Sequence, residues 1–515
     1  MEFCFWIPAV VSAGLAVFLL EVVKLIWLKP LQTRKYFEAQ GIQGPPYKLL
    51  YGNAPDIVRM ASTESSKPLP LTEHNIVPRV LPAYYHWMKT YGENFVFWFG
   101  TKPRLCVTQL ELVKEILFNK FGHCDKIQIK ALGNPGLGRL TGEKWAQHRS
   151  ILNPAFRLEL LKGMVPSIVE SCTNMLREWS KSISSGSNEI DVFKEFCILT
   201  SDIISRTAFG SSYAEGKHIF HLQAQQVLLF FEAIRSVPIP GFGSLPTRKN
   251  RQRWLLEKEI RRCIMQVIES KERTVGIENS GDYGNDLLGL MMTSNKKQRE
   301  GKLQKNTNMT IDEIIAECQN FYIAGQETTA ILLTWTMVLL GMHPTWQERA
   351  RKEVLEVCGK NDFPNADTVN CLKTVGMILN ESLRLYPPAV TLTRQAYKQM
   401  KLGRFSIPAG TQLEIPILQI HHDPALWGNS VNEFDPERFG QGISKAAKHP
   451  IAFMPFALGP RICIGQNFAL LEAKIILAMI LQHFSFVISP HYIHAPMQSL
   501  LLKPQHGAQI ILHKN

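Results

Sequence analysis

The 515-residue chain has ten cysteines but no Cys-x-x-Cys pair and no regular cysteine spacing. That absence argues against a disulfide framework or structural zinc and suits reduced thiols in the cytosol. No repeat, low-complexity tract or clear interdomain linker interrupts the sequence, so a length that would ordinarily suggest three domains reads as one large unit after the N-terminus. Acidic residues are outnumbered, 44 against 57 Lys and Arg, for a net charge of +13. The basic residues are dispersed among apolar runs, which argues for no nucleic-acid partner; a basic face fits an acidic protein partner and anionic lipid.

What is present begins with an apolar stretch from Phe3 to Leu20, long enough to span a bilayer. No small-residue cleavage site ends it, so an uncleaved single-pass anchor is expected rather than a signal peptide. Lys24, Lys29, Arg34 and Lys35 follow the span and only Glu2 and the terminal amine precede it, which leaves the body of the protein cytosolic by the positive-inside rule. The expected organisation is a membrane anchor helix over 1–28, a basic and proline/glycine hinge over 29–46, and a single domain over 47–515. Within that domain most of the chain has helical periodicity. Asn94–Gly100 with Arg104–Val107 reads as a hairpin, and Phe405–Ile415 as another around Pro408-Ala-Gly410. The predicted class is mainly α with small antiparallel β-sheets.

Four segments carry chemistry. The first is Phe456-Ala-Leu-Gly-Pro-Arg-Ile-Cys-Ile-Gly465, a lone cysteine between glycines just before a helix-forming run. Turn N–H groups and the helix N-terminus favour a thiolate at Cys463. Such a sulfur suits an axial haem-iron ligand, whose donation favours O–O cleavage; a buried free cysteine before an amphipathic helix is the competing reading. The second is Phe321-Tyr-Ile-Ala-Gly-Gln-Glu-Thr-Thr329. A capping box, Thr310-Ile-Asp-Glu313, opens this helix, and Pro344 lies beyond its end, giving about thirty residues or roughly 45 Å. Ala324-Gly325 forms a notch beside Glu327 and Thr328, the acid and alcohol that proton delivery to dioxygen needs. A glycine kink with threonine bonded back to a carbonyl would look the same.

The third is Glu381-Ser-Leu-Arg384, opposite charges one turn apart on a helix with apolar flanks, stopped by Pro387-Pro388. Burial of that pair calls for a further partner, and Arg438 in Phe434-Asp-Pro-Glu-Arg-Phe439 is available. The fourth is Trp145 and Arg149, which share a helix face and could present an indole N–H and a guanidinium to a carboxylate.

Taken in chain order, from Trp145 and Arg149 through Ala324–Thr328, Glu381/Arg384 and Pro436–Phe439 to Phe456–Gly465, these segments resemble the motifs of the cytochrome P-450 family, the haem-thiolate monooxygenases, over nearly the whole chain. The resemblance implies the family's fold and a thiolate-ligated haem b, iron protoporphyrin IX. It implies Cys463 as the iron ligand with Phe456 packed beside it, and Trp145, Arg149, Arg394 and Arg461 as partners of the haem carboxylates. Ala324 and Gly325 would lie against the haem, Thr328 and Glu327 would relay protons, and Glu381, Arg384 and Arg438 would support the cysteine loop. Ala457 departs from the Ser or Gly that many members carry.

The runs Gln466–Lys474, His491–Pro496 and Gly44–Tyr47 resemble the plant grouping called the seventy-two clan, which oxidises triterpenoids, steroidal hormones, gibberellins, cytokinins and fatty acids. An NADPH-cytochrome reductase, dioxygen, a lipophilic small molecule and the endoplasmic reticulum membrane are the implied partners and location. Substrate contacts are expected from the loop 126–140, Phe321, Val390, Thr391, Leu392, Ser499 and Leu500, and an apolar loop, Val237–Pro246, is expected to dip into the membrane. A triterpenoid or steroid-like substrate is expected, with hormone or fatty-acid hydroxylation as the alternative. An NADPH-independent hydroperoxide isomerase and a non-catalytic haem carrier are further rivals; the retained Thr328 argues against the first and the apolar pocket segments against the second.

Overall fold

The capping box forms as the sequence predicts. Thr310 Oγ1 accepts the Glu313 N–H at 3.2 Å, and the Thr310 N–H donates to Glu313 Oε2 at 2.9 Å. The helix it opens runs Ile311–Met342 and stops at His343, before Pro344. Every residue from Thr329 to Leu340 is buried, so this half is apolar all round, as befits the core helix of a large domain. The structure is a computed structural model that describes residues 3–119, 122–128, 136–211, 213–235, 245–277, 283–299 and 309–515.

Helices Val192–Phe209, Lys373–Leu385 and Gln466–His483 pack against the central helix. Gly325 explains one of these contacts, because a Cβ there would come within 2.6 Å of the Ile204 side chain. The glycine that sequence reading assigned to a notch thus also lets Val192–Phe209 approach closely.

Small sheets flank the helices. The largest has five strands in the order Asn94–Phe99, Lys102–Val107, Gln412–Ile415, Leu392–Ala396, Cys124–Asp125. Its first pair is the expected hairpin, with Asn94 opposite Val107. The second expected hairpin does not form. Phe405–Ile407 pairs back onto Met400–Leu402, while Gln412–Ile415 joins Leu392–Ala396 and runs parallel to Lys102–Val107. The turn at Pro408-Ala-Gly410 is real, with Gly410 at φ +87°, but its two arms pair with different partners. The other ladders are antiparallel.

At the N-terminus a helix covers Phe3–Val23, continues as a π-helical turn over Lys24–Leu28 and returns to α over Lys29–Glu38. Twenty-one residues in the first part span about 30 Å, the thickness of a bilayer core. Val11, Leu15, Val17, Phe18 and Leu20 are each more than half exposed; apolar surface of that extent is consistent with a membrane anchor. The stretch 29–46, expected as a hinge with a stiff turn at its Gly and Pro residues, holds regular structure in its first part. It is helical to Glu38, and Phe37 and Ile42 are buried in the domain core, so the anchor is joined to the domain by packed side chains.

Candidate active site

Cys463 follows the short 3₁₀ turn Gly459–Arg461 and precedes the helix Gln466–His483. Its N–H donates to Phe456 O at 2.9 Å, which closes the loop. Two residues give the loop its shape through left-handed backbone, Ala457 at φ +60° and Gly459 at φ +73°. A Cβ on Gly459 would lie 2.5 Å from Leu117 O, so only glycine fits there; Ala457 holds its strained conformation without that freedom.

The sulfur faces a cavity of about 310 Å³ lined by Ala324, Gly325, Thr328 and Thr329 of the central helix and by Phe456, Arg461 and Cys463 of the loop. Phe156, Ile204, Phe321, Leu332 and Leu392 supply apolar walls, and Asn320 a polar one. A more open groove of about 500 Å³ lies elsewhere, between Val165–Arg177 and Phe363–Asn365, and carries none of this chemistry. Cys463 is open to the cavity yet enclosed by protein. Burial pushes its thiol up, while the Gly465 N–H, Arg149 and Lys126 pull it down. The turn and helix start are therefore outweighed by desolvation in the bare protein, and a bound cation is what would fix the thiolate.

Positive charge gathers on one side. Arg394 is 2% exposed and gives one N–H to Thr393 O, but its Nη2 has no partner among the described residues. Arg461 pairs with Asp125 at 2.6 Å and also has an unpartnered buried nitrogen, Nη1. Lys126, on the cavity wall with Arg461 but not with Arg394, is pushed down to about 7 by burial and by Arg394 and Arg461. Asp125 offsets only part of this charge, and unpartnered buried donors are costly. A planar ligand with carboxylates on one edge and a metal over Cys463 would satisfy both features, so the residues present fit haem. Lys126 was missed in the sequence because its stretch was read as a substrate loop; residues 129–135 of that loop lie outside the described residues.

Trp145 and Arg149 do not line the cavity. Trp145 lies under Arg461, whose guanidinium carbon is 4.1 Å from the ring centroid. Arg149 donates to Ile462 O at 2.9 Å. Both therefore contact the cysteine loop, Trp145 through Arg461 and Arg149 through the carbonyl beside Cys463.

Glu381 and Arg384 are fully buried and form a bidentate pair at 2.7 and 2.8 Å. Arg438 Nε stands 3.6 Å from Glu381, and its Nη atoms donate to Trp427 O and Ser430 O. Arg384 also donates to the carbonyls of His421, Val431 and Glu433. The three charges thus gather the segment 421–438 that leads into the cysteine loop.

Thr328 Oγ1 donates to Ala324 O at 2.6 Å, the back-bonded form, while the residue borders the cavity. Glu327 does not reach the cavity wall; its Oε1 accepts from Lys503 Nζ at 2.5 Å. Of the expected substrate residues, Phe321 and Leu392 line the cavity. Val390, Thr391, Ser499 and Leu500 do not. Val390 is packed in the core, and Ser499 and Leu500 sit at the tip of the hairpin Pro496–Gln498/Leu502–Pro504. Of the expected membrane loop 237–246, residues 237–244 lie outside the described residues.

One further group was not foreseen. Glu472, 1% exposed on the helix Gln466–His483, has neither carboxylate oxygen in a hydrogen bond, though the Thr329 hydroxyl approaches it. Burial pushes it up to about 8.

A family model described as Cytochrome P450 matches residues 79–512. Cytochrome P450 734A1 of Arabidopsis thaliana is 48% identical over 98% of this chain and 96% of its own length. Cytochrome P450 CYP72A616 of Paris polyphylla is 46% identical, covering 99% and 98%. The 11-oxo-beta-amyrin 30-oxidase of Glycyrrhiza uralensis is 45% identical, covering 98% and 97%.

Proposed function

Because this chain belongs to the cytochrome P450 family, the haem-thiolate monooxygenases, we propose that it hydroxylates a bulky lipophilic molecule of triterpenoid or steroid-like shape. It does so on the cytosolic face of the endoplasmic reticulum membrane, with electrons from an NADPH-dependent reductase. The observation that carries the substrate class is the cavity wall, where Phe156, Ile204, Phe321, Leu332 and Leu392 surround the approach to Cys463 with few polar groups. The name of the Glycyrrhiza uralensis relative, 11-oxo-beta-amyrin 30-oxidase, points the same way.

Haem, when bound, supplies the activation of dioxygen; one oxygen atom enters a C–H bond and the other leaves as water, with two electrons and two protons consumed. Around it the chain's residues have separate tasks. Cys463 would offer its sulfur to the haem iron, and Arg394, Arg461 and Lys126 would hold the haem carboxylates. Thr328 presents a hydroxyl to the oxygen site, and Glu327, one residue before it, brings protons from the outer side of the helix.

The test is turnover in microsomes holding this protein and a plant reductase, with NADPH, against pooled triterpenes, sterols, gibberellins and fatty acids. An oxygenated triterpene or sterol supports the proposal. Products from fatty acids or gibberellins alone would replace the substrate class, and turnover of hydroperoxides without NADPH would overturn the reaction.

A further inference from the structure

The acid next to Thr328 is tied to a strand far along the chain. Lys503 Nζ lies 2.5 Å from Glu327 Oε1, and both side chains are about one-fifth exposed, at 22%. Lys503 belongs to the strand Leu502–Pro504, opposite Met497. Its backbone is fixed on two sides. Leu502 donates its N–H to Pro388 O at 2.9 Å, and Leu502 O accepts from Trp335 Nε1 at 3.0 Å. Pro388 lines the cavity and Trp335 lies two turns beyond Glu327 on the central helix. The lysine therefore reaches Glu327 from a support held in register with that helix.

We infer that Lys503 is a positioning residue for proton delivery, docking the Glu327 carboxylate on the solvent side of the central helix, where it takes up protons for Thr328. This rests on the proposed role of Glu327. Successive helix positions point about 100° apart, so a carboxylate facing Lys503 and a hydroxyl facing the cavity are what residues 327 and 328 present. The proton passes from water to the Glu327 carboxylate and on, across bridging water, to the Thr328 hydroxyl, which donates to Ala324 O at 2.6 Å, as that group gives up its own proton to the cavity. Lys503 serves as a fixed anchor for the carboxylate. An exposed ion pair would contribute little; this one is about four-fifths sheltered, joins two elements and adjoins Thr328 of the cavity wall.

Dioxygen alone serves as the probe, because proton delivery decides whether electrons leave as peroxide or as water. The haem-loaded, reductase-coupled protein is given NADPH without organic substrate, and peroxide released per NADPH is measured in H2O and D2O, beside the carbon monoxide spectrum and thermal midpoint. Lys503→Gln is expected to raise peroxide yield severalfold and change the solvent isotope effect, with spectrum and midpoint retained. Lys503→Arg should restore the wild-type ratio, and Lys503→Gln combined with Glu327→Gln should be no worse than Glu327→Gln alone. If Glu327→Gln shifts the ratio and Lys503→Gln does not, Lys503 is a surface partner only and the inference fails. If Glu327→Gln itself changes nothing, the proton role proposed for Glu327 fails and this inference with it.

Discussion

His421 joins Arg384 to the cysteine loop. Its Nδ1 lies 3.2 Å from Arg384 O, and its Nε2 accepts the Met454 N–H at 3.1 Å. Those two bonds set the tautomer, with the proton on Nδ1 and the lone pair on Nε2. Phe453 stacks on the ring at 5.6 Å. The buried charge pair Glu381–Arg384 thus reaches the segment that ends in Cys463 through one neutral imidazole. His421→Phe should leave the Met454 N–H unpartnered at a cost of about 1–3 kcal/mol. The expected outcome is a lower thermal midpoint and faster loss of haem to an acceptor protein; unchanged haem retention would show that the loop does not depend on this link.

Acid should unfold the protein through a set of buried histidines. Burial, helped by neighbouring cations, pushes His74 and His421 down to about 3 and His422 and His494 down to about 4. A depressed folded value means that the unfolded chain binds the proton first. Stability from these groups is complete above about 6.5, the usual histidine value, and is lost as pH falls from there through 4 and 3. Thermal midpoints measured from pH 7.5 to 4.5 should fall steeply below 6.5, and less steeply in His74→Gln.

Glu472 has the opposite sign. Its folded value of about 8 stands above the usual carboxylate range, so the folded state keeps a proton that the unfolded chain releases. The stability associated with that proton is full below about 4.5 and falls as pH rises to 8. Glu472→Gln removes the titration and should stabilise the fold by about 2–4 kcal/mol at pH 8.5, with almost no gain at pH 4.5. Midpoints of the two proteins at both pH values check this.

Much of the site was legible because its chemistry is local. Cys463 and the residues that shape its loop lie within ten positions, as do Glu381 and Arg384, and the Thr310–Glu313 box marked the start of the central helix. What sequence could not supply were partners chosen in three dimensions. Lys503 is 176 residues from Glu327 and His421 is 33 from Met454, and no periodicity links such pairs. The misread hairpin at Phe405–Ile415 has the same cause. Its turn residues were correct, but strand pairing is set by which edges the tertiary fold leaves open. Trp145 and Arg149 share one helix, as expected, and the contacts they make, with Arg461 and the Ile462 carbonyl, were not legible in the sequence.

Thr328 is the test of oxygen chemistry within the cavity. Thr328→Ala removes the hydroxyl and leaves the apolar walls intact, so substrate affinity should change little. Product per NADPH is expected to fall about tenfold while peroxide rises, within the hundredfold or more that a positioned proton donor supplies. Simultaneous assay of product, peroxide and NADPH consumption gives the ratio.

The central claim is that Cys463 ligates haem iron as a thiolate. The most direct measurement is the absorption spectrum of the reduced, carbon monoxide-bound protein beside that of Cys463→Ala, each purified with equal haem supply. The account predicts the red-shifted Soret band of thiolate ligation in the wild-type protein and its loss in the variant. A wild-type band without that shift, or the same shifted band in Cys463→Ala, would contradict it.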